Sequence, residues 1–147
     1  MIAVDTNILV YAHRKDSEWH LPAKRALDPL FSGTRTWAIP WPCLHEFYSV
    51  CTHPRIYSPP TPRDALLEMF RQWERQRTIR FLHEGPGYME KLAQLVDRAR
   101  IAGPRVHDAR IAAICLNHGV SELWSADRHF MDFPPLKLRN PLIDPAD

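Results

Sequence analysis

The chain opens on an apolar triplet, Ile2-Ala3-Val4, followed at once by Asp5-Thr6-Asn7 and a second apolar run from Ile8 to Ala12. The triplet predicts a short buried strand, and the run after it turns helical or irregular. Trp19, Ala23, Ala26, Leu27 and Leu30 recur at helical spacing and predict a helix over 18–31, with Pro22 in its first turn. Thr36 to Ile39 reads as a second strand. Leu44, Phe47, Tyr48 and Cys51 stripe a helix over 42–52. Thr61-Pro62-Arg63-Asp64 has the form of a helix start, with Thr61 as cap, Pro62 at the first position and an acid in the first turn. Leu66, Leu67, Phe70 and Trp73 carry that helix to about 76. Thr78 to Leu82 is a third strand. Tyr88, Leu92, Leu95, Val96 and Ala99 stripe a helix expected to stop at Gly103. Asp108 opens another helix, with Ile111, Ala112, Cys115 and Leu116 inward. Glu122 to Ser125 and Leu136 to Leu138 complete the strands.

Strands that alternate with helices imply an α/β fold, a parallel sheet covered on both faces. In such sheets ligands bind outside the carboxyl ends of the strands. The chain has no internal repeat, and its densest proline stretch, Ser58 to Pro62, is a rigid connector and not a domain linker. Residues 1–147 are therefore expected to form a single domain.

Composition removes several function classes. The 147 residues are 45% hydrophobic and 24% charged, as in a globular protein with one sizeable core. No stretch approaches the length of a membrane span, and Asp5 interrupts the only apolar run near the start, so no signal peptide is read and a cytoplasmic location is expected. Cys43, Cys51 and Cys115 are an odd set with no framework spacing, which points to reduced thiols. Cys43, His45, Cys51 and His53 match no common zinc spacing, and a helix carries 43 and 45 to different faces. With five glycines there is no phosphate-cradling loop, and no G-x-S-x-G elbow occurs. The net charge is only +2, but 15 of the 19 basic residues are arginine, whose planar fork suits phosphate and carboxylate.

The acids change the picture more. Asp5 and Asp127 follow strands, Asp108 stands at a helix start, and Glu46 lies about 160° around its helix from the apolar stripe. Singly, each has an ordinary explanation: a helix-start acid, a solvated helix residue, a turn residue. Together, two acids at strand ends and two on flanking helices can converge on one cleft. Carboxylates packed that closely repel and raise one another's pKa unless a cation, a proton or a basic side chain compensates. As oxygen ligands they suit Mg²⁺ or Mn²⁺, and such a cation can activate water and neutralise charge as a phosphodiester is attacked.

The segments VDTNILVYA, PWPCLHEFYSVCTHPRIY, VHDARIAAICLNHGV and ELWSADRHF, in this order and spacing, resemble the PIN-domain family, and most closely its VapC-type ribonuclease toxins. The resemblance spans about 2–142. It implies a three-layer α/β/α fold around a mostly parallel sheet and Mg²⁺- or Mn²⁺-dependent endonucleolytic cleavage of RNA. It maps the family's catalytic and metal-binding acids onto Asp5, Glu46, Asp108 and Asp127, and assigns supporting roles to Asn7 and Ser125. It also implies a VapB-type antitoxin partner that holds the toxin inactive, and a homodimer. One departure concerns the metal: many relatives carry an acid two residues after the last of the four, and this chain has His129. Arg110 and Arg128 are candidate phosphate-binding residues by proximity in sequence alone. Trp19, Trp41, Tyr57 and Trp73 are candidate contact surface. Two other readings compete. A haloacid-dehalogenase-like phosphatase also opens on a strand ending in Asp, but needs a second Asp where Asn7 stands. A non-catalytic PIN-like module would bind RNA or antitoxin without cutting.

Overall fold

The first apolar triplet becomes strand β1 (Ile2–Val4), the central member of a parallel sheet of five strands. The computed structural model describes residues 1–143. Strands β2 (Trp37–Pro40), β3 (Ile79–Leu82), β4 (Glu122–Trp124) and β5 (Lys137–Arg139) complete the sheet in the order β3-β2-β1-β4-β5. Ile2 pairs in register with Trp37 on one side and Glu122 on the other. Every residue of β1 and β2 is buried, as expected for inner strands covered on both faces. Among the described residues, six α-helices connect the strands: α1 (Thr6–His13), α2 (His20–Ser32), α3 (Trp41–Cys51), α4 (Arg63–Arg75), α5 (Tyr88–Ala99) and α6 (Val106–Asn117). Helix α1 packs on α2 and α3, and α5 packs on α6. None of them is long and apolar enough to cross a membrane.

The order of the strands matters for function. The chain steps outward from β1 through β2 to β3, then returns past β1 to build β4 and β5 on the other side. Neighbouring strands β1 and β4 therefore lead to connections that leave in opposite directions. The crevice outside their carboxyl ends is the topological switch point where open α/β sheets bind ligands. Asp5 and Ser125 stand at those two ends, and the Asp5 backbone N–H donates to the Trp124 carbonyl at 2.9 Å.

The run after β1 is helical because Asp5 caps it: its carboxylate accepts from the Thr6 N–H at 2.8 Å. Two sequence expectations about helix ends are corrected. Thr61 does not cap α4, whose N-cap is Pro62 with no side-chain capping bond. Thr61 is buried instead, and its hydroxyl meets His13 Nε2 at 3.0 Å and Arg14 Nη1 at 3.2 Å. Two tertiary partners outcompete a local cap. Helix α5 ends at Arg100, not Gly103. Arg100 takes the left-handed conformation (φ 53°), and the following Ile101 N–H donates to the Val96 carbonyl at 2.9 Å. Gly103 (φ 68°) instead opens a short 3-10 turn over Gly103–Arg105 that leads into α6.

Candidate metal centre

Four elements each deliver one acid to a single pocket of about 300 Å³ at the switch point. Asp5 comes from the end of β1, Glu46 from α3, Asp108 from the first turn of α6, and Asp127 from the loop after β4. Asn7, Tyr11, Tyr57 and Phe130 also line it, and among the described residues no basic side chain does. The structure thus brings together all four acids singled out in the sequence. Arg110 and Arg128 are not in the lining. Arg110 lies on α6 with its guanidinium paired to Glu84. Arg128 lines a separate pocket with Met131, Leu136 and Leu138.

Asp5 is the most constrained of the four. It is 5% exposed, and both of its oxygens are engaged. Oδ1 accepts from the Thr6 N–H and from the Cys43 thiol at 3.3 Å. Oδ2 accepts from the Ser125 hydroxyl at 2.7 Å and from Asn7 Nδ2 at 3.5 Å. Ser125 is fully buried and accepts in turn from Asn7 Nδ2 at 3.2 Å and from the Asp127 N–H at 3.0 Å. The Asn7 side-chain Oδ1 closes the ring by accepting from the Ala126 N–H at 3.2 Å. Asn7 and Ser125 therefore hold the ends of β1 and β4 together and orient Asp5.

Burial pushes the Asp5 carboxyl above the usual aspartate range. The bonds from Ser125, Thr6 and Cys43 pull it back, and the charge of Glu46 pushes it up again. Thr6 ties the two acids together. Its hydroxyl is within donating distance of the Cys43 carbonyl (3.1 Å) and of Glu46 Oε2 (3.2 Å).

The second pair is Asp108 and Asp127. Burial raises the Asp108 pKa and the charge of Asp127 raises it further, opposed by Arg105, His129 and His107. Arg105 Nε lies 3.8 Å from Asp108 Oδ2. Asp127 caps a 3-10 turn over Arg128–Asp132 by accepting from the His129 N–H at 2.9 Å. Ligand atoms of Asp108, Asp127 and His129 all lie within 4.8 Å of one another. Among the described residues this is the one group of three or more metal-capable side chains so closely spaced, and the cysteines and histidines of 43–53 form none. Four carboxylates opposed by Arg105, 3.8 Å from Asp108, keep an excess of negative charge and are a donor set that fits a hard or borderline divalent cation.

Sequence reasoning passed over three contributors. Thr6 stood in the opening motif without a role, Cys43 read only as a buried thiol, and His129 read as a missing acid. The roles of the first two show no signal in sequence, because α3 meets α1 and its cap Asp5 only in the fold. His129 had one, the metal-ligand chemistry of imidazole itself.

The chain matches the family model described as PIN domain over residues 2–134. It is 33% identical to ribonuclease VapC43 of Mycobacterium tuberculosis over 143 residues, 97% of this chain and 96% of that protein. It is 27% identical to ribonuclease VapC48 of the same organism over 137 residues, 93% and 94% of the two chains. The fold matches that of VapBC2 from Rickettsia felis, solved bound to a DNA fragment from its promoter. The TM-score is 0.66 at 19% identity, over 95% of this chain and 98% of that one.

Proposed function

Because the chain belongs to the PIN domain family, we propose that it is a metal-dependent RNA endonuclease, the toxin of a toxin–antitoxin pair. The observation that carries the reading is the convergence of Asp5, Glu46, Asp108 and Asp127 from four separate elements on one pocket with no basic lining. A fold keeps such mutual repulsion for a cation, and similarity to proteins named VapC ribonucleases makes RNA the substrate. A dehalogenase-like phosphatase fits less well. Asn7, in the place of its second aspartate, is occupied in bracing Asp5, Ser125 and Ala126.

The four acids would hold Mg²⁺ or Mn²⁺. When bound, the cation supplies Lewis-acid neutralisation of phosphate charge and lowers the pKa of water. The protein contributes a fixed frame. Ser125, Thr6 and Cys43 favour the ionised form of Asp5 against burial, with Asn7 they aim it, and Thr6 restrains Glu46. Tyr11, Tyr57 and Phe130 wall the pocket. Arg128, beside Asp127 in sequence, and Arg110, once released from Glu84, would bind flanking phosphates. Such contacts position a strand and carry no sequence choice. The protein would act in the cytoplasm as a homodimer, held inactive by a VapB-type antitoxin.

The test is cleavage of a structured RNA by antitoxin-free protein with Mg²⁺ or Mn²⁺, with EDTA, and beside Asp5→Asn. Cleavage that needs both the metal and Asp5 is expected. Equal cleavage by folded Asp5→Asn at the same metal concentration overturns the mechanism. RNA binding without cleavage across a panel of targets would assign the protein a binding role instead.

A further inference from the structure

We propose that His129 makes the Asp108–Asp127 half of the pocket a mixed nitrogen–oxygen position that selects a first-row transition dication, Mn²⁺, over Mg²⁺. The inference rests on the nuclease reading and adds to it the identity of one ligand and the class of cation it favours.

The geometry divides the pocket in two. Asp5 and Glu46 face each other across Thr6 and offer oxygen alone. Outside the pocket lining, the imidazole of His129 brings a nitrogen within 4.8 Å of a carboxylate oxygen of both Asp108 and Asp127. Imidazole favours transition metals, whereas Mg²⁺ takes oxygen and dehydrates reluctantly.

The imidazole is presented from a fixed backbone. The His129 N–H donates to Asp127 Oδ1 at 2.9 Å, and the His129 carbonyl accepts from Arg105 Nη2 at 3.1 Å. Arg105 Nη1 also pairs with Asp132 at 2.9 Å, which ties both ends of the 3-10 turn to the start of α6, where Asp108 lies. The side chain itself is 65% exposed, so neither packing nor a buried partner holds the ring away from a cation. Its Nδ1 lies 3.3 Å from Asp127 Oδ1, a contact a shared ion would replace. The anchored backbone keeps the ring beside both acids, and the exposed side chain is free to turn onto a shared ion.

The readout is spectroscopic and independent of cleavage. Mn²⁺-loaded, antitoxin-free full chain is examined by pulsed electron spin echo for modulation from a directly bound ¹⁴N, beside His129→Asp and His129→Ala, each checked for folding by circular dichroism. Calorimetric titration with Mn²⁺ and with Mg²⁺ accompanies it. The expected result is ¹⁴N modulation in the wild type, lost in both variants. The preference for Mn²⁺ over Mg²⁺ should narrow in His129→Asp by at least the roughly tenfold that loss of an outer-shell partner costs a metal site. Bound Mn²⁺ without ¹⁴N modulation overturns the inference and leaves the nuclease reading to the Asp5→Asn assay. Modulation that persists in His129→Asp also overturns it, since another histidine, such as His107, would then be the ligand. Folded wild type that binds no Mn²⁺ overturns the inference and the metal-dependent reading together.

Discussion

Ser125→Ala tests the frame that holds the acids. The Ser125 side chain has no solvent exposure and makes three bonds: it donates to Asp5 Oδ2 at 2.7 Å and accepts from Asn7 Nδ2 at 3.2 Å and the Asp127 N–H at 3.0 Å. A hydrogen bond to a charged group is worth about 1.5–3 kcal/mol, and a donor orphaned in the interior costs about 1–3 kcal/mol. Asn7 and Asp127 line the pocket, where water can replace the lost acceptor. The donor to Asp5 has no such substitute, because that carboxylate is buried. The expected loss is therefore ~2–4 kcal/mol, read as a lower urea midpoint at unchanged slope.

The same variant has a second signature. The Ser125 bond lowers the Asp5 pKa against the push of burial. Without it the pKa rises further, the ionised form requires a higher pH, and the acid limb of the cleavage profile moves to higher pH. Ser125→Thr keeps the hydroxyl and should restore the limb even if its methyl costs stability. A stability loss below about 1 kcal/mol with an unmoved acid limb would refute the claim that Ser125 braces Asp5.

Two further changes probe the scaffold. His13 is partly buried, and its pKa lies below 6.5 through that burial and then through the charges of Arg14 and His20. The unfolded chain takes up this proton first, so the stability His13 contributes is full above pH 6.5 and is lost as pH falls from there through the lowered folded value. Urea midpoints between about pH 7.5 and 5.5 should decline less in His13→Gln than in the wild type; an identical decline would discount His13. Arg100 holds a left-handed conformation at the end of α5, with its N–H bonded to the Asp97 carbonyl at 3.2 Å. Arg100→Gly keeps that bond and removes the steric cost, so it should raise stability by about 0.5–1 kcal/mol in thermal melts; a loss would mean the arginine side chain contributes more than its backbone costs.

Most of the framework was legible because burial imposes a period. The triplet Ile2-Ala3-Val4 and the stripes at 88–99 and 111–116 have no alternative that hides their apolar faces, and β1, α5 and α6 follow them. What failed depends on partners distant in sequence. Thr61 was bound by His13 and Arg14, 48 and 47 residues away, and so was lost to its local cap. The end of α5 fell on Arg100 because a Schellman-type closure onto Val96 was available there, three residues before the glycine. The acids were legible only as a set: singly, Glu46, Asp108 and Asp127 follow ordinary local rules, and it was the charge of Asp5 at the end of a buried strand, with the order and spacing of the four PIN-like segments, that joined them. The arginines broke no rule. Arg110 lies two residues after Asp108 yet pairs with Glu84, since adjacency along a helix does not fix the face a long side chain seeks.

The two halves of the pocket are built differently, and the difference follows from where they sit. Asp5 must be buried, because it ends the central strand of the sheet. A buried carboxylate stays ionised only if hydrogen bonds replace water, so four donors surround it. Asp108 and Asp127 stand on a helix start and a loop, where solvent does part of that work. They need fewer protein partners, and Arg105 at 3.8 Å is only a loose counter-ion to Asp108. That leaves their oxygens and the neighbouring imidazole free to rearrange around an incoming ion. A rigid, charged floor and an adaptable rim are the division expected when one wall of a site belongs to the sheet and the other to its connections. A substitution that stiffens the rim and one that loosens the floor should therefore both impair cation binding, the first by slowing its entry and the second by misplacing Asp5.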